Sequence, residues 1–115
     1  MTDLNEINIF RALDFIRDNA EHYAKAKAER IYLEEFRKTK KAILMQDAEL
    51  HGHKSSAAQE REAYAHPEYD ALLHGLRDAI EREEKLRWQI EAARIKCEVW
   101  RTLNANQRIE ARALG

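Results

Sequence analysis

The 115-residue chain carries 20 basic and 21 acidic side chains, a net charge of −1, three glycines, one proline and one cysteine. That length fits a single domain spanning 1–115, and the charge balance excludes a global field that would draw the chain onto nucleic acid or an anionic membrane. An internal disulfide is excluded by the lone Cys97, a membrane span by the lack of any apolar run of about 18–20 residues, and a signal peptide by the acidic start MTDLNEINIF, so the expectation is a cytoplasmic, all-α protein rich in long helices.

The first arm, residues 1–50, repeats apolar residues at helical spacing through Ile7, Phe10, Leu13 and Ile16, then Ala20, Tyr23, Ala24, Ile31, Phe36, Ile43 and Leu50. Asp3 or Asn5 is a candidate cap. Asp18-Asn19 is the weakest point, where either a bend divides the arm or one helix continues. HGHKSS then breaks the pattern, with Gly52 suited to the left-handed conformation that closes a helix. Ser56 is expected to start a short helix, with Gln59 as its capping-box partner. That helix ends by His66, because the residue before a proline is pushed away from helical angles, and Pro67 opens the next helix.

From residue 68 to 114 the pattern is that of one long helix. Steps of three and four residues link Tyr69, Leu72, Leu76, Ala79, Glu83, Leu86, Ile90, Ala93, Cys97 and Trp100, and continue through Asn104, Gln107 and Ala111 to Leu114. Leu73, Ile80, Ile95, Val99 and Leu103 widen this seam, as in a helix with more than one neighbour. At 1.5 Å per residue such a helix runs about 70 Å and cannot bury its seam on itself. The expected architecture is therefore a long helical hairpin, a coiled-coil-like bundle with a short helix at the turn (51–67). Apolar positions left over by the hairpin point to a homo-oligomer. The core and oligomer seam rests on Leu72, Leu76, Leu86, Ile90, Cys97 and Trp100, and the off-seam Trp88 marks a subunit contact.

Side chains with chemical potential are weighed against plainer roles. His51 and His53, with His66 folding back, offer imidazoles to a metal, but no further ligand completes a set, and a polar turn explains them equally. Cys97 lies on the seam as a small apolar residue without an activating histidine nearby. Runs such as EREEKLR form solvated faces; Glu83 differs by falling on the seam, where it either pairs with an arginine or sets register. With no Glu-x-x-His pair, phosphate-binding glycine loop or serine with a base, no enzyme activity, cofactor or metal is expected. Arg37, Lys38, Lys40 and Lys41 cover most of a helix circumference, so part of this charge faces outward. These cations neutralise phosphates, with Tyr32 or Phe36 stacking on a base and Lys54 and Arg61 extending the patch. In the plainer reading they pair with Glu34 and Glu35.

SAAQEREAYAHPEY, followed by LRWQIEAARIKCEVWRTLNANQRIEAR, resembles small helical proteins encoded in phage and prophage genomes among replication and recombination genes. The layout over roughly 25–114 is similar to that of the UvsY recombination mediators: a basic helix, a serine-containing loop, a short helix and a long assembling segment. The resemblance implies single-strand contacts at Lys40-Lys41, with Arg37 and Lys38 as neighbours, and oligomerisation through the segment from Tyr69. It implies a non-enzymatic protein that binds single-stranded DNA, helps load a recombinase and meets the single-strand-binding protein. The near-neutral charge departs from that pattern and calls for weak patches repeated around an oligomer. The alternatives are a helical interaction module, an adaptor or inhibitor of a host or phage protein without DNA binding, and a helical virion component.

Overall fold

A computed structural model describes residues 6–115, and among them there are three helices and no strand: α1 (Ile9–Leu50), α2 (Ser56–Ala65) and α3 (Pro67–Leu114). The all-α class and the long hairpin with a short helix at its turn are both present. The caps expected at Asp3 or Asn5 lie outside the described residues. Asn8 does that work: its side-chain oxygen accepts from the Arg11 amide at 3.0 Å, satisfying a donor that the first turn leaves open. Past Asp18-Asn19 α1 is unbroken. The Asn19 amide side chain donates to the Phe15 carbonyl at 2.9 Å, one turn back, so its polarity is met within the helix.

The turn is built from backbone chemistry. Gly52 has φ of 100°, a region that penalises any residue with a Cβ. The His53 amide donates to the Ala48 carbonyl at 3.1 Å and the Gly52 amide to Glu49 at 3.2 Å, the paired bonds of a Schellman closure. The His51 ring also donates to the Asp47 carbonyl at 2.8 Å through Nδ1, which must carry the hydrogen because a carbonyl only accepts. One residue of the expected cap is corrected here. Ser55, in extended conformation, caps α2 by accepting from the Ala58 amide at 3.1 Å, and Ser56 is the first helical residue. No capping box forms with Gln59, which reaches back to the His53 carbonyl at 2.9 Å and closes the loop instead. His66 leaves helical angles before Pro67, and its Nδ1 accepts from the Glu68 amide at 3.0 Å, capping α3.

The chain divides into two compact units, Lys25–Glu83 and Met1–Ala24 with Glu84–Gly115. In the turn unit, Lys25–Glu83, Leu44, Ala63 and Tyr69 form a buried cluster with Met45 packed against it, and Ala63 is completely buried. Ala26, Ala48, Leu76 and Ala79 are buried along the same two arms, with Leu72 half-buried. Glu83 is buried too, and the Arg30 guanidinium meets it with two bonds, Nε to Oε2 at 2.6 Å and Nη2 to Oε1 at 3.0 Å. Arg30 also donates to Glu34 at 3.0 Å, so all three guanidinium nitrogens are engaged and its pKa is held above the ordinary arginine value, first by Glu83 and then by Glu34.

In the other unit, Ala12 and Ala93 are buried, whereas Leu86, Ile90, Cys97, Trp100 and Asn104 on α3 and Ile16, Asn19 and Tyr23 on α1 are half-buried. The seam expected on α3 is thus covered as far as Asn104. Gln107, Ala111 and Leu114 are exposed, because the last turns find no packing surface among the described residues.

The inward face of α1 departs from the apolar pattern. Phe10, Leu13, Ala20, Ala24, Ile31, Ile43 and Leu50 are exposed, while Ala12, Ala26, Leu44 and Ala48 are buried, with Arg30 and Lys40 half-buried beside them. Alanine at a helix contact allows close approach, so small side chains occupy the line that an apolar count assigns to larger ones.

Candidate nucleic-acid interface

The basic run lies in the turn unit on the part of α1 that faces α2 and the start of α3. One turn before it, Tyr32 and Phe36 stack with ring centroids 5.7 Å apart and planes 11° from parallel. Tyr32 is 59% exposed, so an aromatic face stands free beside the cations. The i,i+4 spacing produces this pair directly, since it sets both rings on one side of the helix.

The four cations differ in their surroundings. Arg37 is exposed and, among the described residues, makes no ion pair. Lys38 is exposed and pairs with Glu35 at 3.4 Å. Lys40 has only 22% of its side chain accessible and reaches Glu68 at 3.4 Å, at the start of α3. Lys41 reaches Glu60 of α2 at 3.4 Å and lies 4.7 Å over the Tyr64 ring. Tyr64 is the leading cause that holds Lys41 above the usual lysine value, with Glu60 adding to it against partial desolvation. Tyr64 in turn packs edge-on against the core residue Tyr69, 5.3 Å between centroids. Glu34 does not serve the run; it joins Arg30. Lys54 and Arg61 are exposed and carry no ion pair among the described residues.

Lys40 and Lys41 therefore tie α1 to the turn, while Arg37, Lys54 and Arg61 keep unpaired charge in solvent and Lys38 holds only an exposed pair. Glu60, Tyr64 and Glu68 were not legible as partners of the run, since they reach it only through the turn. Nearby, a small cavity of about 150 Å³ is lined by His51, His53, His66, Asp47 and Glu62 together with Leu44 and Ala48. His53 faces Glu62 at 3.9 Å and His51 faces Asp47 at 3.6 Å. Among the described residues, no group of three or more His, Cys, Asp or Glu is placed to hold a metal ion, and no helix is long and apolar enough to cross a membrane. Cys97 is half-buried on the seam. No protein-family model, no curated protein and no solved structure matches the chain.

Proposed function

We propose that the protein is a non-enzymatic, self-associating accessory protein of phage-type DNA recombination. In this reading it works in the cytoplasm of a bacterial host, binds single-stranded DNA and assists recombinase loading, meeting the recombinase and the single-strand-binding protein. The observation that carries the DNA contact is the exposed Tyr32 ring, stacked on the half-buried Phe36, beside a cationic helix surface. Unpaired bases offer a π-face to such a platform, and duplex DNA does not, which makes the contact selective for single strands. Arg37, Lys38, Lys54 and Arg61 supply the phosphate contacts, and repetition in an oligomer raises the effective concentration of weak patches on one strand.

The test is a fluorescence-anisotropy titration of labelled single-stranded DNA at low and near-physiological salt, with duplex as control. Saturable, salt-sensitive binding that favours the single strand is expected, and Tyr32→Ala should weaken it by about 1–3 kcal/mol, the scale of one base–aromatic stack. Absence of binding at low salt sinks the DNA contact. A helical interaction module then remains, a reading supported by the carboxylates already placed on Lys40 and Lys41 and by the large apolar side chains left exposed.

A further inference from the structure

Besides the seam that faces α1, α3 carries a second repeat on another side. Trp88, Ala92, Ile95 and Val99 follow one another by steps of four, three and four, and the same alternation continues through Thr102 and Asn106 to Ile109. Every one of these is exposed, Trp88 to 58%. The repeat belongs to one compact unit, and beside it a groove of about 850 Å³ opens between Ala92, Ile95 and Val99 on α3, Phe15 on α1 and Ile7 just before α1. A period of 3.5 residues held over this length matches only another helix wound at the same pitch.

We propose that this stripe pairs two copies of the chain, with their α3 helices side by side and parallel; the inference rests on the self-associating reading above and names its contact. Trp88 alternates with the small Ala92, which gives facing indoles room. Charges flank the stripe asymmetrically: Glu91 and Glu98 on one side, Gln89 and Lys96 on the other. In a parallel pair each flanking residue faces the position five further along the second helix, so Glu91 meets Lys96 of the second copy, twice by symmetry. Arg94 already holds Glu91 and Glu98 within the chain, both at 2.5 Å, so the cross-pair sets register and the apolar layers drive association.

Asn106 decides the orientation. Parallel helices set it against its own copy, where two amides hydrogen-bond to each other. The antiparallel register that pairs the stripe from Ala92 to Ile109 sets it against Ile95 and leaves the amide without a partner in an apolar layer.

Sedimentation of the full-length protein gives the mass, and far-UV circular dichroism checks that each variant keeps its helix. Ile95→Asp combined with Val99→Asp should raise the dissociation constant of the pair by about tenfold or more. Ala92→Cys, in a Cys97→Ser background, should oxidise to a covalent dimer, while Ala71→Cys, exposed elsewhere on α3, should not. If the Cys97→Ser background fails to fold, Ala92→Cys is compared with the unaltered chain, whose half-buried Cys97 supplies the blank. An assembly that ignores both Asp substitutions and the Ala92→Cys probe overturns the stripe while self-association stands. Cross-linking of Ala92→Cys to Ile109→Cys, and not to itself, overturns the parallel register. A monomer at all concentrations overturns the stripe and self-association together.

Discussion

The turn unit and the unit holding both chain ends spend the same kind of sequence differently. In the turn unit three large side chains, Leu44, Tyr69 and Leu76, are buried among alanines, and a buried carboxylate is met by a two-bond arginine. In the other, the buried residues are alanines, while Phe10, Leu13, Trp88, Ile95 and Val99 are left in solvent. Both helices continue through both units, so helix propensity does not account for the contrast. Both units also leave large apolar side chains exposed, Ile31, Ile43 and Leu50 in the turn unit among them; what differs is that, among the described residues, only the turn unit buries any. One unit secures the hairpin with large buried side chains, and the other buries only alanine, with Trp88, Ile95 and Val99 left for something outside the chain.

The contrast is broken or upheld most directly by cavity mutations. Leu44→Ala removes a buried side chain from the cluster with Ala63 and Tyr69 and should cost about 2–5 kcal/mol in urea unfolding. Ile95→Ser, read at protein concentrations below any association, should stay within about 0.5 kcal/mol of the parent. Equal losses at the two positions would mean that the end unit carries as much of the fold as the turn.

A sharper probe of the turn is Gly52→Ala. Left-handed backbone at φ of 100° should cost about 1–2 kcal/mol once a Cβ is added, although nothing lies within 4 Å of that atom. A neutral result would show that the Schellman closure relaxes and that the turn is less determined than its bonds suggest. Next in size are the two serines. Ser55→Ala should lose about 1 kcal/mol with the Ala58 amide unpaired, and Ser56→Ala should lose almost nothing. Thermal unfolding of the pair side by side reads the difference, and the reverse order would move the cap back by one residue.

These positions also explain what could be read from the amino-acid order. Gly52 and Pro67 act through their own backbones, so the turn and both helix boundaries beside it were legible without knowledge of any neighbour. Ser55 and Ser56 are chemically equal, and only the Ala58 amide's bond to the Ser55 hydroxyl shows which one caps the helix. The α3 seam was legible because its spacing is regular and one-sided. The α1 face was not, since Phe10, Leu13, Ile31 and Ile43 carry more apolar area than the alanines the chain buries, and area is what a periodicity count follows. At the candidate site the cations stood out at once. Their unequal roles did not, because Glu60 and Glu68 come to Lys41 and Lys40 across the turn.

The smallest effect tests that inequality. Lys41 lies over the Tyr64 ring beside Glu60, and its pKa is raised, Tyr64 being the first cause. A raised value means that the folded chain holds this proton more tightly than the unfolded one. The stabilisation is therefore complete below the unfolded lysine value of about 10.4, and is lost as pH rises through the higher folded value. The site is only half-buried, so the loss is a slight steepening of the alkaline limb in a stability–pH curve. Lys41→Met should remove that steepening, and its difference from the parent cancels every other lysine and tyrosine. The same variant separates structure from binding. A cation already occupied by Tyr64 and Glu60 has less to offer a phosphate, so Arg37→Ala should lower single-strand affinity more than Lys41→Met does. The opposite ranking would mean that DNA displaces Glu60, and that the contact tying α1 to the turn is also the contact that opens on binding.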